Sequence, residues 1–460
     1  MNRLKRARQT FAMLVFAAIL WPSAFGFAGE PPRIIAGPMF TGTPRGVVVW
    51  VQTDSDGHLS LIRPSGPSPI LLEGIHPKDS PTHAGQKDRH IFTGLIPTSP
   101  GQTQQVELNF TNEAGLRLAE PIQCRLKPPA EPGRAGRYKI AFGSCSHQEK
   151  FAEKQPIWSA IADEQPDCFL FIGDNMYLPS DPAAYPKTRD EVFKLYCDTY
   201  DRERRLPDMQ RLLRSTVSYA IWDDHDYGPN NADRHWTWKD VALEALQTYF
   251  PNDYGLPDAP GCYYQFSWGD IDVFMLDDRT HRDPNLDPES ASKTMFGEKQ
   301  LAWLKGGLSA SSATFKLVVN GNQMISDTHP HESWGVQFRP ERDAFLRWLW
   351  DERIQGVIFL AGDRHFAELV RRKDPKGKGD DLWELTSSPL ANDTFKQGDK
   401  IPNGDRVRSY TTGPNFGLLR FDTTATPPTV ELVLKRQDGK TEFKQKIEAR
   451  DTAPLLIRKP

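Results

Sequence analysis

The chain has 460 residues, of which 38% are hydrophobic and 25% are charged. This composition excludes an intrinsically disordered chain, and the length is enough for two or three domains. Because the formal net charge is only −3 at pH 7, overall charge gives no reason to expect a stable nucleic-acid partner or attraction to an anionic membrane.

Residues 1–28 predict a cleaved secretory signal. Basic residues at 5–8 precede an apolar run from Phe11 to Leu20, and small residues follow it. The alternative is a membrane anchor, but the run is short for a bilayer and is interrupted by Pro22. We therefore expect a secreted, periplasmic or cell-surface protein with no membrane span. The pair Lys5-Arg6 is only a loose variant of a twin-arginine signal, so the export route stays open.

Residues 33–127 predict a small all-β sandwich domain of the immunoglobulin or fibronectin type. Short apolar segments alternate there with turns rich in Pro, Gly, Asn and Asp, as in β-sandwiches. The predicted strands lie at 46–52, 59–62, 91–95 and 105–110. Residues 128–136 contain three prolines and two glycines and predict a linker.

The pattern changes over residues 137–460, where apolar strands alternate with amphipathic helices. This alternation predicts a layered α/β domain. Predicted strands lie at 138–142, 168–172, 217–222, 271–276, 315–319 and 356–361, predicted helices at 155–164, 190–214, 241–250, 297–309 and 341–353, and two closing strands at 417–421 and 430–434.

Polar residues follow the end of each of the first six strands of this region. One acid after a strand is often only a helix cap. Binding sites in α/β sheets form beyond the carboxyl ends of the strands, so six polar ends together predict one convergent site. The segments are Gly143–His147, Gly173–Tyr177, Asp223–Asp226, Asp277–His281, Asn320–Gln323 and Gly362–His365.

The residue types at these ends predict a pair of metal ions. Asp174 can bridge two cations with its two oxygens, and Cys145 and Tyr177 are anionic ligands once deprotonated, which ferric iron promotes. The other oxygen donors suit calcium, magnesium or manganese. Further donors come from Asp224, Asp363, His365 and either Asn322 or Gln323.

The chain has five cysteines, and an odd number leaves at least one outside any disulfide. If Cys145 is a metal ligand, the other four are able to form two disulfides in an exported protein. The alternative is that Cys145 is itself half of a disulfide. The remaining four are Cys124, Cys168, Cys197 and Cys262.

Taken together, these motifs resemble the metallophosphoesterase family. The segments Gly173-Asp-x-x-Tyr177, Asp224-His225 and Gly362-Asp-x-His365 are similar to its signature, although Asp224 and Asp363 stand where that family usually has asparagine and histidine. Phe142-Gly-Ser-Cys145 and Trp222-Asp-Asp-His-Asp226 resemble its alkaline phosphatase D branch. The resemblance extends over roughly residues 35–395.

The resemblance implies a four-layer αββα sandwich preceded by a small β-sandwich. It also implies a ferric ion and a second ion, calcium or another divalent metal. The histidine usual in the second-metal shell has no counterpart here, and Asn322 falls near its place. The implied ligands are Cys145, Asp174, Tyr177 and His365 for iron, and Asp174, Asp224 and Asp363 for the second ion.

The function expected from this arrangement is hydrolysis of a small or polymeric phosphate ester by a monomeric enzyme, with a metal-activated hydroxide attacking phosphorus in line. His225 is expected to protonate the leaving group, with metal ligation or simple packing as alternatives. Arg279, Arg364 and Asn322 are the candidate substrate contacts. The alternative for the two arginines is ion pairing with Asp226, Asp277 or Asp278.

A protein that binds phosphorylated or sugar polymers on the same fold, without catalysis, is the competing hypothesis. Gaps among the ligand positions would distinguish it, and the sequence has almost none. The natural ester and the choice between monoester and diester stay open. Four other histidines are expected to be structural or at the surface: His147, His281, His329 and His331.

Overall fold

A computed structural model describes residues 33–62, 70–75, 89–112, 114–151, 154–326, 333–377 and 379–449. The predicted signal over residues 1–28 and the histidines His329 and His331 lie outside the described residues. No helix among those described combines the length and the apolarity needed to cross a bilayer.

Strands make up most of the regular structure, and they alternate with helices only from β8 onward. The strands are β1 (Ile34–Thr43), β2 (Gly46–Thr53), β3 (His58–Ile62), β4 (Ile70–Ile75), β5 (His90–Ile96), β6 (Gln104–Thr111), β7 (Ile122–Leu126), β8 (Arg137–Gly143), β9 (Cys168–Ile172), β10 (Val217–Ile221), β11 (Tyr264–Ser267), β12 (Ile271–Met275), β13 (Phe315–Val319), β14 (Val357–Ala361), β15 (Ala367–Arg372), β16 (Leu382–Thr386), β17 (Arg406–Tyr410), β18 (Asn415–Asp422), β19 (Thr429–Arg436) and β20 (Thr441–Glu448).

Each predicted amphipathic segment is helical, and the short helices over Asp224–Tyr227 and Trp334–Gln337 were not predicted. The single helix predicted over residues 190–214 is two helices, α2 and α3, because Pro207 cannot continue the hydrogen bonding of α2 and instead occupies the first turn of α3. The helices are α1 (Pro156–Asp163), α2 (Arg189–Arg204), α3 (Pro207–Leu213), α4 (Asp224–Tyr227), α5 (Lys239–Tyr249), α6 (Glu298–Ala310), α7 (Trp334–Gln337) and α8 (Arg339–Asp351).

The strands form two large sheets in a mixed α/β fold. Thirteen strands lie in the order β20-β19-β18-β8-β9-β10-β1-β2-β5-β4-β3-β6-β7, and seven lie in the order β11-β12-β13-β14-β16-β15-β17. Within the first sheet β8, β9 and β10 run parallel, and within the second β12, β13, β14 and β16 run parallel. The carboxyl ends of each parallel set therefore lie along one edge of its sheet.

The amino-terminal strands are continuous with the larger sheet. Phe40 of β1 pairs with Val217 of β10 in parallel, and this pairing covers the edge of β10 that would otherwise be open. The described residues between 33 and 449 fall in one compact unit. The boundary at residues 128–136, the separate β-sandwich and the four-layer order of the α/β part stay predictions.

Successive side chains of a strand point to opposite faces of the sheet, so the buried residues form two separate clusters. Phe315, Leu317 and Val319 of β13 lie in a buried cluster with side chains of the larger sheet, and the ring of Phe315 is 5.4 Å from that of Phe421 in β18. Val318 points to the opposite face, into a second cluster with residues of α6 and α8. Strands buried on both faces hold their ends in fixed positions.

All five cysteines are buried and free. The expectation that Cys124, Cys168, Cys197 and Cys262 form two disulfides is therefore wrong for this structure. They lie on separate elements of the core, where they pack as small apolar side chains.

Candidate metal centre

Three parallel strands of the larger sheet end level with one another. Phe171 pairs with Gly143 on one side, and Ile172 pairs with Ile221 on the other. The residues that follow these ends therefore emerge at the same height. This register brings Cys145 and Asp174 to one place, together with Asp224 at the start of α4.

A first group of donors forms around Cys145. The ligand atoms of Cys145, Asp174 and His365 lie within 4.8 Å of one another. The Tyr177 hydroxyl donates to Asp174 Oδ2 at 3.0 Å and lies 3.2 Å from His365 Nε2. The four residues proposed to bind the first ion are thus in mutual contact, although they come from three separate strand ends.

A second group of donors consists of Asp174, Asp224 and His225, whose ligand atoms also lie within 4.8 Å of one another. Asp174 belongs to both groups, as a bridging carboxylate must. His225 Nδ1 is buried and has no hydrogen-bond partner among the described residues. A buried imidazole nitrogen without a hydrogen-bond partner is available to bind a metal ion or to take part in proton transfer.

Asp363 lies beside both groups and belongs to neither. Cys145 Sγ is 3.6 Å from the Asp363 carbonyl oxygen, and the carboxylate is close enough to Asp174 to raise the pKa of that residue. Arg364 follows it, with Nη1 3.7 Å from Asp363 Oδ2. Asp363 and Arg364 therefore lie beside the two donor groups, and His225 is the third member of the second group.

The backbone at the centre is held in unusual conformations. Cys145, Asp174, Asp363 and His365 all have positive φ, between 50° and 64°. Such values are uncommon outside glycine and tend to occur at functional sites, where the surrounding packing maintains the strain. Gly173 has φ 101°, and a Cβ there would lie 2.6 Å from Asp223 Cβ, so only glycine allows this approach.

The electrostatics of the centre fit a bound cation. Burial raises the pKa of Asp174 well above its usual range, and the carboxylates of Asp224 and Asp363 raise it further. Burial likewise raises the pKa of the Cys145 thiol and of the Tyr177 hydroxyl. Burial lowers the pKa of His365 to about 4, which keeps its imidazole neutral and able to coordinate. A nearby positive charge would stabilise all three acids as anions.

A buried ionic network lies beneath the second group. Arg279 Nε donates to Asp223 Oδ1 at 2.7 Å, and Asn322 Nδ2 donates to Asp223 Oδ2 at 2.9 Å. Arg282 Nη1 in turn donates to Asn322 Oδ1 at 3.0 Å. Arg279 and Asn322 are fully buried, and both contact Asp223. Arg279 forms an ion pair with Asp223, and its Nε also lies 3.6 Å from Asp278 Oδ1.

Two contacts of the centre were absent from the sequence prediction. Ser388 Oγ donates to Cys145 Sγ at 3.2 Å and accepts from the His365 amide at 2.9 Å. The His147 ring stacks on the Tyr177 ring at 4.6 Å, with His225 4.4 Å away from the same ring. Ser388 follows the end of β16, so the strand-end argument would have found it had β16 been predicted.

The two sheets and the carboxylate shared between two donor groups fit a metal-dependent phosphoesterase, the class that the family comparison supports. The family model described as PhoD-like phosphatase matches residues 140–432, more than half of the chain. The chain belongs to the PhoD-like phosphatase family, and it is a phosphoric ester hydrolase. Comparison with curated proteins gives no significant sequence match.

Solved structures share the fold at low sequence identity. The structure of PhoD aligns with a TM-score of 0.66 at 15% identity, over 94% of this chain and 95% of the other. A purple acid phosphatase, PPD1, from yellow lupin (Lupinus luteus) seeds aligns with a TM-score of 0.61 at 11% identity, over 91% of this chain and 74% of the other.

Proposed function

We propose that this protein is an exported phosphatase or phosphodiesterase that uses two metal ions held by one shared carboxylate. The position of Asp174 in both donor groups carries the proposal, because one bridging aspartate is what couples two cations in a single site. Export rests on the predicted signal over residues 1–28 and is tested by sequencing the amino terminus of the protein recovered outside the cytoplasm. We also propose that the enzyme is a monomer.

We assign the first ion, ferric iron, to Cys145, Asp174, Tyr177 and His365. The second ion, calcium or another divalent metal, is assigned to Asp174, Asp224 and Asp363. When bound, such a pair supplies an activated water and neutralises the charge of the phosphoryl oxygens. The thiolate, phenolate and imidazole of the first group suit iron, and the carboxylates of the second suit a hard divalent ion.

The remaining chemistry falls to side chains around the pair. His225 is proposed to give a proton to the leaving alkoxide, because its ring lies against Tyr177 and beside Asp174 at the centre. Arg364 is proposed to hold phosphoryl oxygens in a fork of hydrogen bonds. Arg279 and Asn322 are proposed to position Asp223 and, through it, the α4 turn that carries Asp224 and His225.

The first test is Asp174→Asn, with Asp258→Asn as the matched surface control. We expect Asp174→Asn to lose both ions and turnover of monoesters and diesters together, since one carboxylate serves both groups. Metal content is measured by elemental analysis of the same samples. Wild-type turnover by this variant would overturn the proposal.

The role of His225 is tested by His225→Ala on esters with leaving groups of different acidity. A leaving-group acid predicts a large loss, on the order of 10²–10⁴-fold, with alkyl phosphates and a small loss with 4-nitrophenyl phosphate, at unchanged metal content. Equal losses on both esters with reduced metal content would instead make His225 a ligand of the second ion, the alternative that its place in the second donor group supports.

A further inference from the structure

Two exposed phenylalanine side chains stand on loops that border the metal centre. Phe151 is 54% exposed and Phe395 is 38% exposed. Large apolar side chains in contact with water are few within the described ranges of the chain, and these two share one neighbourhood. The others are Ile62, Leu71, Leu116 and Leu286.

The loop that carries Phe151 is fixed to Tyr177. Gln148 Nε2 donates to the Tyr177 carbonyl oxygen at 2.9 Å, and Gln148 Oε1 accepts from the Tyr177 amide at 2.9 Å. Three residues later Phe151 has φ 58°, a conformation that is rare for a bulky residue and favours glycine or asparagine. The backbone conformation at this position therefore disfavours the phenyl ring that stands there.

The loop that carries Phe395 is fixed to His365. The Phe395 amide donates to the His365 carbonyl oxygen at 2.7 Å. The Phe395 ring lies 6.3 Å from the ring of Phe366, over which the guanidinium of Arg364 sits at 5.5 Å. A continuous row of side chains therefore leads from the proposed phosphate contact to an exposed phenyl ring.

Lys150 joins the two loops. Its ammonium donates to Asn392 Oδ1 at 2.9 Å and forms an ion pair with Asp393. Phe151 follows Lys150 and Phe395 comes two residues after Asp393, so this link brings the two loops with exposed phenyl rings together. An exposed phenyl ring favours contact with a hydrocarbon group over contact with a sugar or a polyanion.

We propose that Phe151 and Phe395 bind the organic group of the ester, and that this group is apolar, an aryl or alkyl chain next to the scissile phosphate. This inference rests on the proposed function, because the metal centre fixes where the phosphate lies. It assigns the two residues to substrate selection and leaves the chemistry at phosphorus to the centre.

The test compares ethyl phosphate with hexyl phosphate, whose leaving alcohols have nearly the same acidity, each as the monoester and as the methyl diester. The variants are Phe151→Asn, which suits the positive φ, and Phe395→Ala. Leu116→Ala removes an exposed apolar side chain from the connection between β6 and β7 and is the matched control. Metal content is measured for every variant.

We expect the wild type to prefer the hexyl ester. Each phenylalanine variant should lose about fivefold in kcat/KM on that ester, the effect of uncovering a modest apolar contact. The loss on the ethyl ester should be much smaller, with metal content unchanged, and Leu116→Ala should behave as the wild type. Equal losses on both esters, or wild-type selectivity in both variants, would overturn the inference. A wild type that hydrolyses neither ester with metals bound would instead count against the proposed function.

Discussion

Ser388→Ala removes a single hydroxyl that contacts two of the proposed ligands of the first ion. In the folded protein this hydroxyl donates to Cys145 Sγ and accepts from the His365 amide. Ser388 is fully buried, so water does not replace either bond in the variant. The change therefore reaches the metal centre without altering any ligand.

The expected cost follows from these two contacts. Each ordinary hydrogen bond contributes about 1 kcal/mol, and a buried amide left without an acceptor costs about 1–3 kcal/mol. We expect the free energy of unfolding to fall by about 2 kcal/mol. Loss of a group that orients metal ligands lowers metal affinity by roughly 10–100-fold, and we expect iron affinity to fall in that range.

Ser387→Ala is the matched control, because Ser387 is equally buried and its hydroxyl donates at 3.0 Å to Asn415 Oδ1, which is not a proposed ligand. Urea unfolding of the metal-free proteins gives the stability change, and competition with a chelator gives the iron affinity. Both variants should lose stability, and only Ser388→Ala should lose iron affinity. Wild-type affinity in Ser388→Ala, or the same loss in both variants, would refute the reasoning.

Two further predictions concern buried charges. Arg279→Met leaves Asp223 without its buried ion pair, so the free energy of unfolding should fall by about 3–5 kcal/mol. KM in the folded protein should change little. A raised KM at wild-type stability would instead favour a role for Arg279 in binding the substrate. Burial raises the pKa of Glu203 to about 8 from 4.5, so its protonated form stabilises the fold fully below about pH 4.5 and this contribution is lost as pH rises through 8. As the pH rises from 4.5 to 8, the free energy of unfolding should fall more in the wild type than in Glu203→Gln, which has no ionisable group at this position. Parallel plots of stability against pH from 4 to 9 for the two proteins would contradict this.

The gathering of donors at strand ends could be predicted from the sequence because it depends on local patterns. Cys168–Ile172 and Phe315–Val319 begin and end where their apolar runs do, since both strands are buried on both faces. Parallel strands bring their carboxyl ends to a common edge, so Cys145, Asp174 and Asp224 were predictable as neighbours.

The partners of charged and polar side chains were not predictable in the same way. Arg279 follows a strand end as Arg364 follows another, yet one is fully buried against Asp223 and the other lines the centre. A sequence gives the charge of a residue and its place along a strand, but which opposite charge it meets depends on how the two sheets pack.

The sequence by itself determined the alternation of strands and helices from residue 137 onward and the donor types at the strand ends, because hydrophobic periodicity and side-chain chemistry are written locally. Only the tertiary structure decided that the cysteines stay apart, that β1 extends the sheet beside β10, and that Ser388 and His147 complete the surroundings of Cys145 and Tyr177. Those contacts join residues distant in sequence, and packing alone sets their distances.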